Sequence, residues 1–250
     1  MSSPFWARWS RLSRSQQQLV IEMVELLEEP IESQIGRASD ICSSEFAEDF
    51  QNRLVMHHGV SEEPLKKALF EFAFVHPNEK SGREARLVQS PVNPGSDAVV
   101  DGVSFPLKTE AAKTIRKPLI TISKLMEARW IRECRSGDDF LEGVRTHILL
   151  HLRQYERILM LRAFTESDRW VEYYLVEIPL DLLMQVKTVS SSDFSTRTVN
   201  GSSTANVVVD GGKAFSLRLD GSVEKVTISG LDIRLCTFHS YWKIPTRAPI

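Results

Sequence analysis

Cysteine is scarce in this chain: its 250 residues contain three, at positions 42, 134 and 236. An odd number of widely spaced cysteines excludes a dense disulfide framework and a zinc site of clustered cysteines, and it fits a reducing compartment such as the cytoplasm. No apolar run approaches the roughly 20 residues of a membrane-spanning helix. The N-terminus, MSSPFWARWSRLSRSQQQ, lacks an apolar core, so we expect neither a signal peptide nor a membrane association.

A large excess of one charge is also absent. The chain has 31 Lys and Arg against 33 Asp and Glu, for a net charge of -2. This balance gives no global attraction to nucleic acid, but it leaves room for a local basic groove. The sequence contains no G-x-G-x-x-G, no P-loop and no Ser or Cys in a nucleophile motif. Nucleotide-binding and serine-hydrolase classes therefore have no support.

Helical periodicity dominates the first part of the chain, and β-rich runs follow it. Helices are predicted from Ser15 to Pro30, from Ser43 or Ser44 to about Met56, from near Ser61 to just before His76-Pro77, from Asp138 or Asp139 to about Gln154, and briefly over 180–187. Strands are predicted over 85–90, 96–110, the start of 119–134, 157–164, 171–179, 213–220, 225–229 and 232–244, with a Ser/Thr-rich loop over 188–206. The sum is an α/β (α+β) fold with a mixed central sheet flanked by helices.

A β-hairpin is the clearest local feature of the sequence. Asp101-Gly102 is a favoured two-residue turn between two β-rich runs. Counting back from this turn places Asp97 opposite Pro106, which makes Lys108 the diagonal neighbour of Asp97, within reach of a long side chain. Strand alternation predicts one buried face and one face that carries the polar groups. The buried face holds Val103, Phe105 and Leu107, and the other holds Ser104, Pro106, Lys108 and Glu110.

An Asp and a Lys that meet on a hairpin resemble the active-site ribbon of the PD-(D/E)XK nucleases. The resemblance implies that Asp97 binds Mg²⁺, which prefers hard oxygen ligands, and that Lys108 orients or deprotonates the attacking water. Pro106 departs from the pattern, because an acid is expected two residues before the lysine and proline cannot bind a metal. Glu71 on the preceding helix is the first candidate for the missing acid, and Glu110 is the second.

A longer resemblance extends over about residues 43–242. The segments that carry it are RLVMHH (53–58), KKALFEFAF (66–74), NPGSDAVVDGVSFPLKTEAAK (93–113), ITISKLME (120–127), YERILMLRAF (155–164), LVEIP (175–179), AFSLRLDGS (214–222) and TFHSYW (237–242). They are similar, in order, to segments of the SmaI-type type II restriction endonucleases. The resemblance implies a prokaryotic, cytoplasmic homodimer that makes Mg²⁺-dependent cuts in both strands of DNA at a short palindrome, with CCCGGG as the leading candidate. It also implies a companion DNA methyltransferase, with which no direct contact is expected.

The same resemblance implies a restriction-endonuclease-like core in a single nuclease domain over 1–250. We divide it into an N-terminal helical portion (1–60), a catalytic core (61–165) and C-terminal strands with a possible recognition loop (166–250). Basic residues beyond the hairpin are candidate DNA-backbone contacts: Lys113, Arg116, Lys117, Lys124 and Arg129. In the 188–206 loop, Arg197 and Asn200 are candidate base contacts, because Arg reads guanine through paired hydrogen bonds. The alternative interpretation is a solvated face and a linker.

Two other functions remain open. A non-catalytic DNA-binding relative would retain the fold without the metal site, and Pro106 is its best support. A DNA repair nuclease would cut at lesions or mismatches instead of at discrete sites. His147 and His151 have the i, i+4 spacing of a zinc-binding pair, but no third ligand is evident. We interpret them as structural histidines.

Overall fold

The computed structural model describes residues 4–88, 96–167 and 169–246. Its helices are α1 (Pro4–Trp9), α2 (Arg14–Glu28), α3 (Ser44–His58), α4 (Lys67–Lys80), α5 (Gly137–Gly143), α6 (Leu149–Leu152) and α7 (Leu180–Leu183), with a π-helical turn, Val144–Ile148, between α5 and α6. Its strands are β1 (Glu32–Ile35), β2 (Ala85–Leu87), β3 (Ala98–Val100), β4 (Val103–Phe105), β5 (Leu107–Glu110), β6 (Leu119–Glu127), β7 (Ile158–Ser167), β8 (Trp170–Ile178), β9 (Ser203–Val209), β10 (Gly212–Asp220), β11 (Lys225–Asp232) and β12 (Thr237–Pro245).

The strands form three sheets. The central sheet has the order β1-β12-β8-β7-β5, and its β5–β7 pair is parallel while its other pairs are antiparallel. An antiparallel sheet of order β6-β11-β10-β9 and a small antiparallel sheet of order β2-β3-β4 complete the fold. The predicted class, a mixed central sheet flanked by helices, is confirmed.

Two hydrophobic clusters cover opposite faces of the central sheet. Alternation along β7 turns Leu159 and Leu161 toward α3 and α4, and it turns Met160 toward the β6-β11-β10-β9 sheet. The β5 edge of the central sheet adjoins β4, which belongs to the small sheet. The segment that contains Asp97 and Lys108 therefore lies where two sheets and the start of α4 meet.

The third predicted helix is displaced along the sequence. We predicted it from near Ser61 to just before His76-Pro77, but α4 begins at Lys67 and continues through Pro77 to Lys80. Pro77 cannot donate the usual hydrogen bond to the Ala73 carbonyl, but only three helical residues follow it, and the Asn78 side chain donates a hydrogen bond of 2.8 Å to the Phe74 carbonyl. Proline at this place therefore does not end the helix.

Other boundaries also differ from the predictions. The N-caps are Ser13 for α2 and Ser136 for α5, because each serine accepts a backbone N–H three residues on within a capping box. The 188–206 loop contains a 3-10 turn, Ser191–Asp193, and the start of β9. A 3-10 turn, Ile233–Leu235, interrupts the predicted 232–244 strand. Residues 89–90 of the predicted 85–90 strand lie outside the described residues. In the described parts of the chain, no helix is long and apolar enough to cross a membrane.

Candidate active site

The hairpin has the predicted register. Both turn residues have positive φ, 50° at Asp101 and 81° at Gly102, as a tight two-residue turn requires. Ladder pairing leaves Asp97 opposite Pro106, and the Asp97 N–H donates a hydrogen bond of 3.1 Å to the Phe105 carbonyl. Asp97 thus occupies the end of the hairpin that is far from the turn.

Pro106 ends one sheet and begins another. It has no N–H to continue the ladder, so β4 stops at Phe105. The next N–H, that of Leu107, donates instead to Asp97 Oδ2 at 2.7 Å. The Pro106 carbonyl accepts from Leu159 N at 3.1 Å, which starts the parallel pairing of β5 with β7. The proline that breaks the family pattern therefore exposes a backbone donor that fixes the orientation of the Asp97 carboxylate.

Two carboxylates converge on one ammonium group at this place. Lys67 Nζ lies 2.8 Å from Asp97 Oδ1 and 3.3 Å from Glu71 Oε1. Lys67 and Glu71 are one turn apart in α4, so the helix directs both side chains toward the hairpin. Burial lowers the pKa of Lys67, but the hydrogen bond and charge of Asp97 and the charge of Glu71 raise it overall, so the group stays cationic. We refer to Asp97, Glu71 and Lys67 as the Asp97 cluster.

Lys108 stands beside this cluster at the wall of a cavity of about 700 Å³. Its backbone pairs with Met160 of β7, but within the described residues its ammonium makes no hydrogen bond and no ion pair. Burial lowers the pKa of Lys108, the charge of Lys67 lowers it further, and the charge of Asp97 opposes the change. Lys108 is therefore easier to deprotonate than an ordinary lysine, as a base that accepts a proton from water must be.

Glu110 is held elsewhere. Its Oε2 lies 2.6 Å from Nε of the fully buried Arg162, and its Oε1 accepts from Thr121 N at 2.9 Å. The same guanidinium donates to the carbonyls of Arg116, Lys117 and Leu119. One carboxylate oxygen of Glu110 thus forms a buried ion pair and the other accepts a backbone N–H, and together with Arg162 they fix the loop between β5 and β6. The structure brings Glu71, and not Glu110, to Asp97.

The predicted DNA-backbone contacts separate into two groups. Lys113 and Arg116 are exposed on the loop between β5 and β6. In the same loop, Lys117 forms an ion pair of 2.6 Å with Glu172, and its ammonium lies 5.8 Å from the centre of the Phe164 ring. Lys117 is therefore engaged within the fold, whereas its two neighbours face outward.

Lys124 lies on the cavity wall with Lys108, where it forms an exposed ion pair of 2.7 Å with Glu127. Arg129 is 86 % exposed, and its nearest acid, Glu224, lies 3.8 Å away. Weak surface pairs of this kind are easily exchanged for a phosphate group. Lys124 is thus the predicted DNA contact that shares a cavity with Lys67 and Lys108.

The two candidate base contacts differ in accessibility. Asn200 is exposed at the turn before β9. Arg197 is half-buried, and its Nε atom is buried without a hydrogen-bond partner among the described residues. Its guanidinium packs against Gly201, where φ is +76°. A Cβ atom added at Gly201 would lie 2.9 Å from Arg197 Nη2. The loop therefore holds Arg197 against its own backbone.

Sequence reasoning missed Lys67 and the pair His151–Tyr155. The spacing of Lys67 and Glu71 was a visible signal, but nothing local showed that Asp97 joins them. The Tyr155 hydroxyl and His151 Nε2 are 2.5 Å apart, and both groups line the Lys108 cavity. His147 stacks on Trp130 with ring centres 5.2 Å apart. The two histidines thus have separate partners within the fold, as their structural interpretation expects.

A second acidic group joins the segment before α3 with β8 and β12. Asp40, Glu177 and His239 have ligand atoms within 4.8 Å of one another, which is a spacing that a metal ion could bridge. The Arg157 guanidinium already contacts both acids, however, at 2.7 and 2.8 Å from the Asp40 oxygens and 3.0 Å from Glu177 Oε1. The positive charge of Arg157 therefore already compensates the carboxylates of Asp40 and Glu177. We refer to these four residues as the Asp40 cluster.

Comparison with known proteins identifies the family. Residues 9–244 match the family model described as "SmaI: Type II site-specific deoxyribonuclease". The chain is 35 % identical over 238 residues to the type II restriction enzyme SmaI of Serratia marcescens, which covers 94 % of this chain and 93 % of that relative. No solved structure matches the chain significantly. The chain therefore belongs to the SmaI family of type II site-specific deoxyribonucleases and is a restriction endonuclease.

Proposed function

We propose that this restriction endonuclease makes Mg²⁺-dependent cuts in both strands of DNA at CCCGGG, and that the Asp97 cluster with Lys108 is its active site. The observation that carries the proposal is the convergence of Asp97 Oδ1 and Glu71 Oε1 on one cation beside Lys108. CCCGGG is the candidate sequence because the chain resembles the SmaI-type enzymes along nearly its full length.

The donor set of the Asp97 cluster fits Mg²⁺. This ion prefers oxygen ligands and keeps several of its waters, so one or two carboxylates and a substrate phosphate suffice to hold it. Asp97 and Glu71 supply two carboxylates, and Leu107 N–H fixes the orientation of the first. An acid at position 106 is therefore not required. When bound, the ion polarises the phosphate and neutralises developing charge.

Lys108 acts on the attacking water. A bond forms between the water oxygen and phosphorus, an ester P–O bond breaks, and the leaving oxygen takes up a proton. In its neutral form Lys108 accepts a proton from the water, and in its charged form it stabilises the phosphate oxygens. Burial and the charge of Lys67 lower the pKa of Lys108, which makes loss of its proton easier.

Lys67 would have to leave the two carboxylates for a metal ion to bind both of them. Its ammonium lies between Asp97 Oδ1 and Glu71 Oε1, where it satisfies both charges. The Lys67 side chain is 44 % exposed, so such a movement would not disturb the core. Lys67 lines the same cavity as Lys108 and Lys124. The three cations together attract the DNA backbone at the cleavage position.

The oligomeric state follows from a palindromic site, and the DNA contacts complete the proposal. Its two-fold symmetry is matched by a homodimer that places one active site on each strand. Lys113, Arg116, Lys124 and Arg129 contact phosphates, and Arg197 and Asn200 contact bases. Residues 1–250 act as a single nuclease domain. The enzyme works in a prokaryotic cytoplasm, where a companion methyltransferase protects host DNA.

A plasmid assay tests the function. One plasmid carries a single CCCGGG site, and its matched control carries the same site with one base pair changed. We expect Mg²⁺ to yield a linear product from the first plasmid alone, and EDTA to prevent the reaction. Run-off sequencing of the product then gives the cut position. Cutting of both plasmids would contradict the proposed specificity, and cutting in EDTA would contradict the metal dependence.

A further inference from the structure

The N-terminal helices expose an unusual amount of apolar surface. Seven large apolar side chains among residues 4–28 are at least 38 % exposed, and α2 contains no buried residue. They are Phe5, Trp6, Leu19, Val20, Ile21, Val24 and Leu27. A monomer rarely leaves such a patch uncovered unless it serves an interaction.

Three of the exposed apolar side chains of α2 form a stripe apart from its packed face. Met23 and Leu26 pack against Gly59 at the end of α3. Val20, Val24 and Leu27 have the i, i+4, i+7 spacing of a second face, about 100° around the helix from the first. We refer to Val20, Val24 and Leu27 as the α2 stripe. The fold therefore uses one apolar face of α2 and leaves the other open.

The charges of this region run in an unfavourable order for an isolated helix. Arg8, Arg11 and Arg14 lie at or before its N-terminus, whereas Glu22, Glu25, Glu28 and Glu29 lie in its second half. The first turn of α2 contains no acid and the last turn contains no base. Both ends thus oppose the helix macrodipole, which favours acids at the N-terminus and bases at the C-terminus.

We propose that the α2 stripe is a two-fold interface with a second copy of this chain, in which the two α2 helices lie antiparallel. With the two-fold axis near residue 21, at the middle of α2, Val20 and Val24 lie near the axis and Arg14 of each helix lies opposite Glu28 of the other, so the same surface serves both copies. The charge order that opposes the macrodipole then becomes complementary. The proposal deepens the proposed function, because it supplies the dimer that a palindromic site requires.

The extent of the surface suits this role. A helix of 15 residues is roughly 22 Å long, and α1 adds Phe5 and Trp6 beyond its N-terminal end. Stable interfaces bury about 800 Å² on each partner, which a helix pair with two flanking aromatic side chains can approach. The family match begins at residue 9, so the family model includes α2.

Sedimentation velocity of the DNA-free protein tests the interface. We expect the wild-type chain to be a dimer at micromolar concentration, and Val24→Lys with Leu27→Lys to weaken dimerisation by at least 100-fold. Val208→Lys with Val223→Lys is the matched control, because these side chains are equally exposed elsewhere, at 50 % and 57 %. A monomeric wild type, or a stripe variant that dimerises as well as the control, would overturn the proposal.

Reversing the charges of Arg14 and Glu28 gives a second test, because recovery of the dimer in the double variant cannot be explained by loss of folding. Arg14→Glu should weaken the dimer because it places an acid beside the acidic end of the partner helix. Adding Glu28→Arg to the same chain should restore it, since the two-fold pairs are then reversed but again opposite. Failure of the double variant to recover would contradict the antiparallel arrangement. The plasmid assay is separate: cutting at CCCGGG by a chain that does not dimerise through α2 would refute this interface and leave the proposed specificity intact.

Discussion

The Asp97 cluster and the Asp40 cluster each place two carboxylates around one cationic side chain, but they hold that cation differently. In the Asp40 cluster, the Arg157 guanidinium donates to both oxygens of Asp40 and to Glu177, and it is 22 % exposed. In the Asp97 cluster, a single ammonium touches one oxygen of each acid, and the lysine is 44 % exposed. His239 also contacts Glu177, at 3.0 Å, which completes the Asp40 cluster.

The difference separates charges that stabilise the fold from charges that are available to bind a metal or take part in a reaction. A planar guanidinium that binds two carboxylates through several hydrogen bonds is costly to displace, whereas an ammonium on a flexible stem is not. The pKa of Asp40 is lowered by the hydrogen bond from Arg157, and its charge is thus already used. Only the Asp97 cluster lies beside an uncompensated lysine in an open cavity. We therefore expect a metal at the Asp97 cluster and none at the Asp40 cluster.

The largest expected effect comes from Asp97→Asn. The amide keeps an oxygen for Leu107 N–H but removes the charge that a metal needs. We expect the single-turnover rate of cleavage to fall by about 1,000-fold, equivalent to ~4 kcal/mol, with DNA binding retained. Asp40→Asn is the matched control in the other cluster, and its cleavage rate should remain within about threefold of wild type. A gel-shift titration in Ca²⁺ measures binding. Cleavage by Asp97→Asn above a tenth of the wild-type rate would refute its assignment.

Replacing each of the two candidate acids, Glu110 and Glu71, by glutamine should affect stability in one case and activity in the other. Glu110→Gln breaks a buried ion pair with Arg162 and should lower the free energy of unfolding by about 3 kcal/mol, as measured by urea denaturation. Glu71→Gln affects a half-exposed side chain, so we expect unchanged stability and a cleavage rate reduced by roughly 30-fold. If Glu110→Gln instead lost cleavage while remaining stable, the metal-binding acid would be the strand residue.

Substitution of Lys108 should reveal a trade-off between activity and stability. Removal of a half-buried cation that has no ion-pair partner among the described residues, by Lys108→Met, should raise the free energy of unfolding by about 1 kcal/mol, while the single-turnover rate falls by about 100-fold. Lys108→Arg should be impaired to a similar degree, because a guanidinium stays protonated and holds its donors differently. A near-normal rate in the Arg variant would reduce Lys108 to a phosphate contact.

The smallest expected effect concerns Lys67. If its ammonium occupies the position of the metal, Lys67→Met should tighten Ca²⁺ binding by about tenfold, or ~1.4 kcal/mol, in calorimetric titration without DNA. Lys66→Met is the control one residue away, because Lys66 pairs with Glu63 and not with the cluster. Unchanged Ca²⁺ affinity in Lys67→Met would show that Lys67 does not compete for the two carboxylates.

The sequence predicted what depends on local periodicity. The turn at Asp101-Gly102 and strand alternation were enough to place Asp97 opposite Pro106, and the register confirms this. Alternation also placed Glu110 on the side of Lys108, but it did not reveal that parallel pairing of β5 with β7 sets Arg162 beside Glu110. That contact joins residues 52 positions apart in the chain. The partner of Glu110 could therefore be identified only from the fold.

The same limit applies to Lys67 and to α4. The i, i+4 relation of Lys67 and Glu71 is local, but the 2.8 Å contact with Asp97 spans 30 residues. Pro77 predicted a helix end because proline lacks an N–H, whereas α4 continues to Lys80 and the Asn78 side chain adds a hydrogen bond to the Phe74 carbonyl. Long-range contacts therefore decided which acid joins Asp97, and the helix end depends on more than the position of the proline.

Binding of Mn²⁺, followed by electron paramagnetic resonance in the absence of DNA, tests the central claim most directly. The ion substitutes for Mg²⁺ at oxygen sites, and its free and bound forms are distinguishable. We expect wild-type protein and Asp40→Asn to bind the ion equally well, and Asp97→Asn to lose at least 90 % of the bound signal. A bound signal that survives in Asp97→Asn and disappears in Asp40→Asn would place the metal in the Asp40 cluster and contradict a metal site at Asp97.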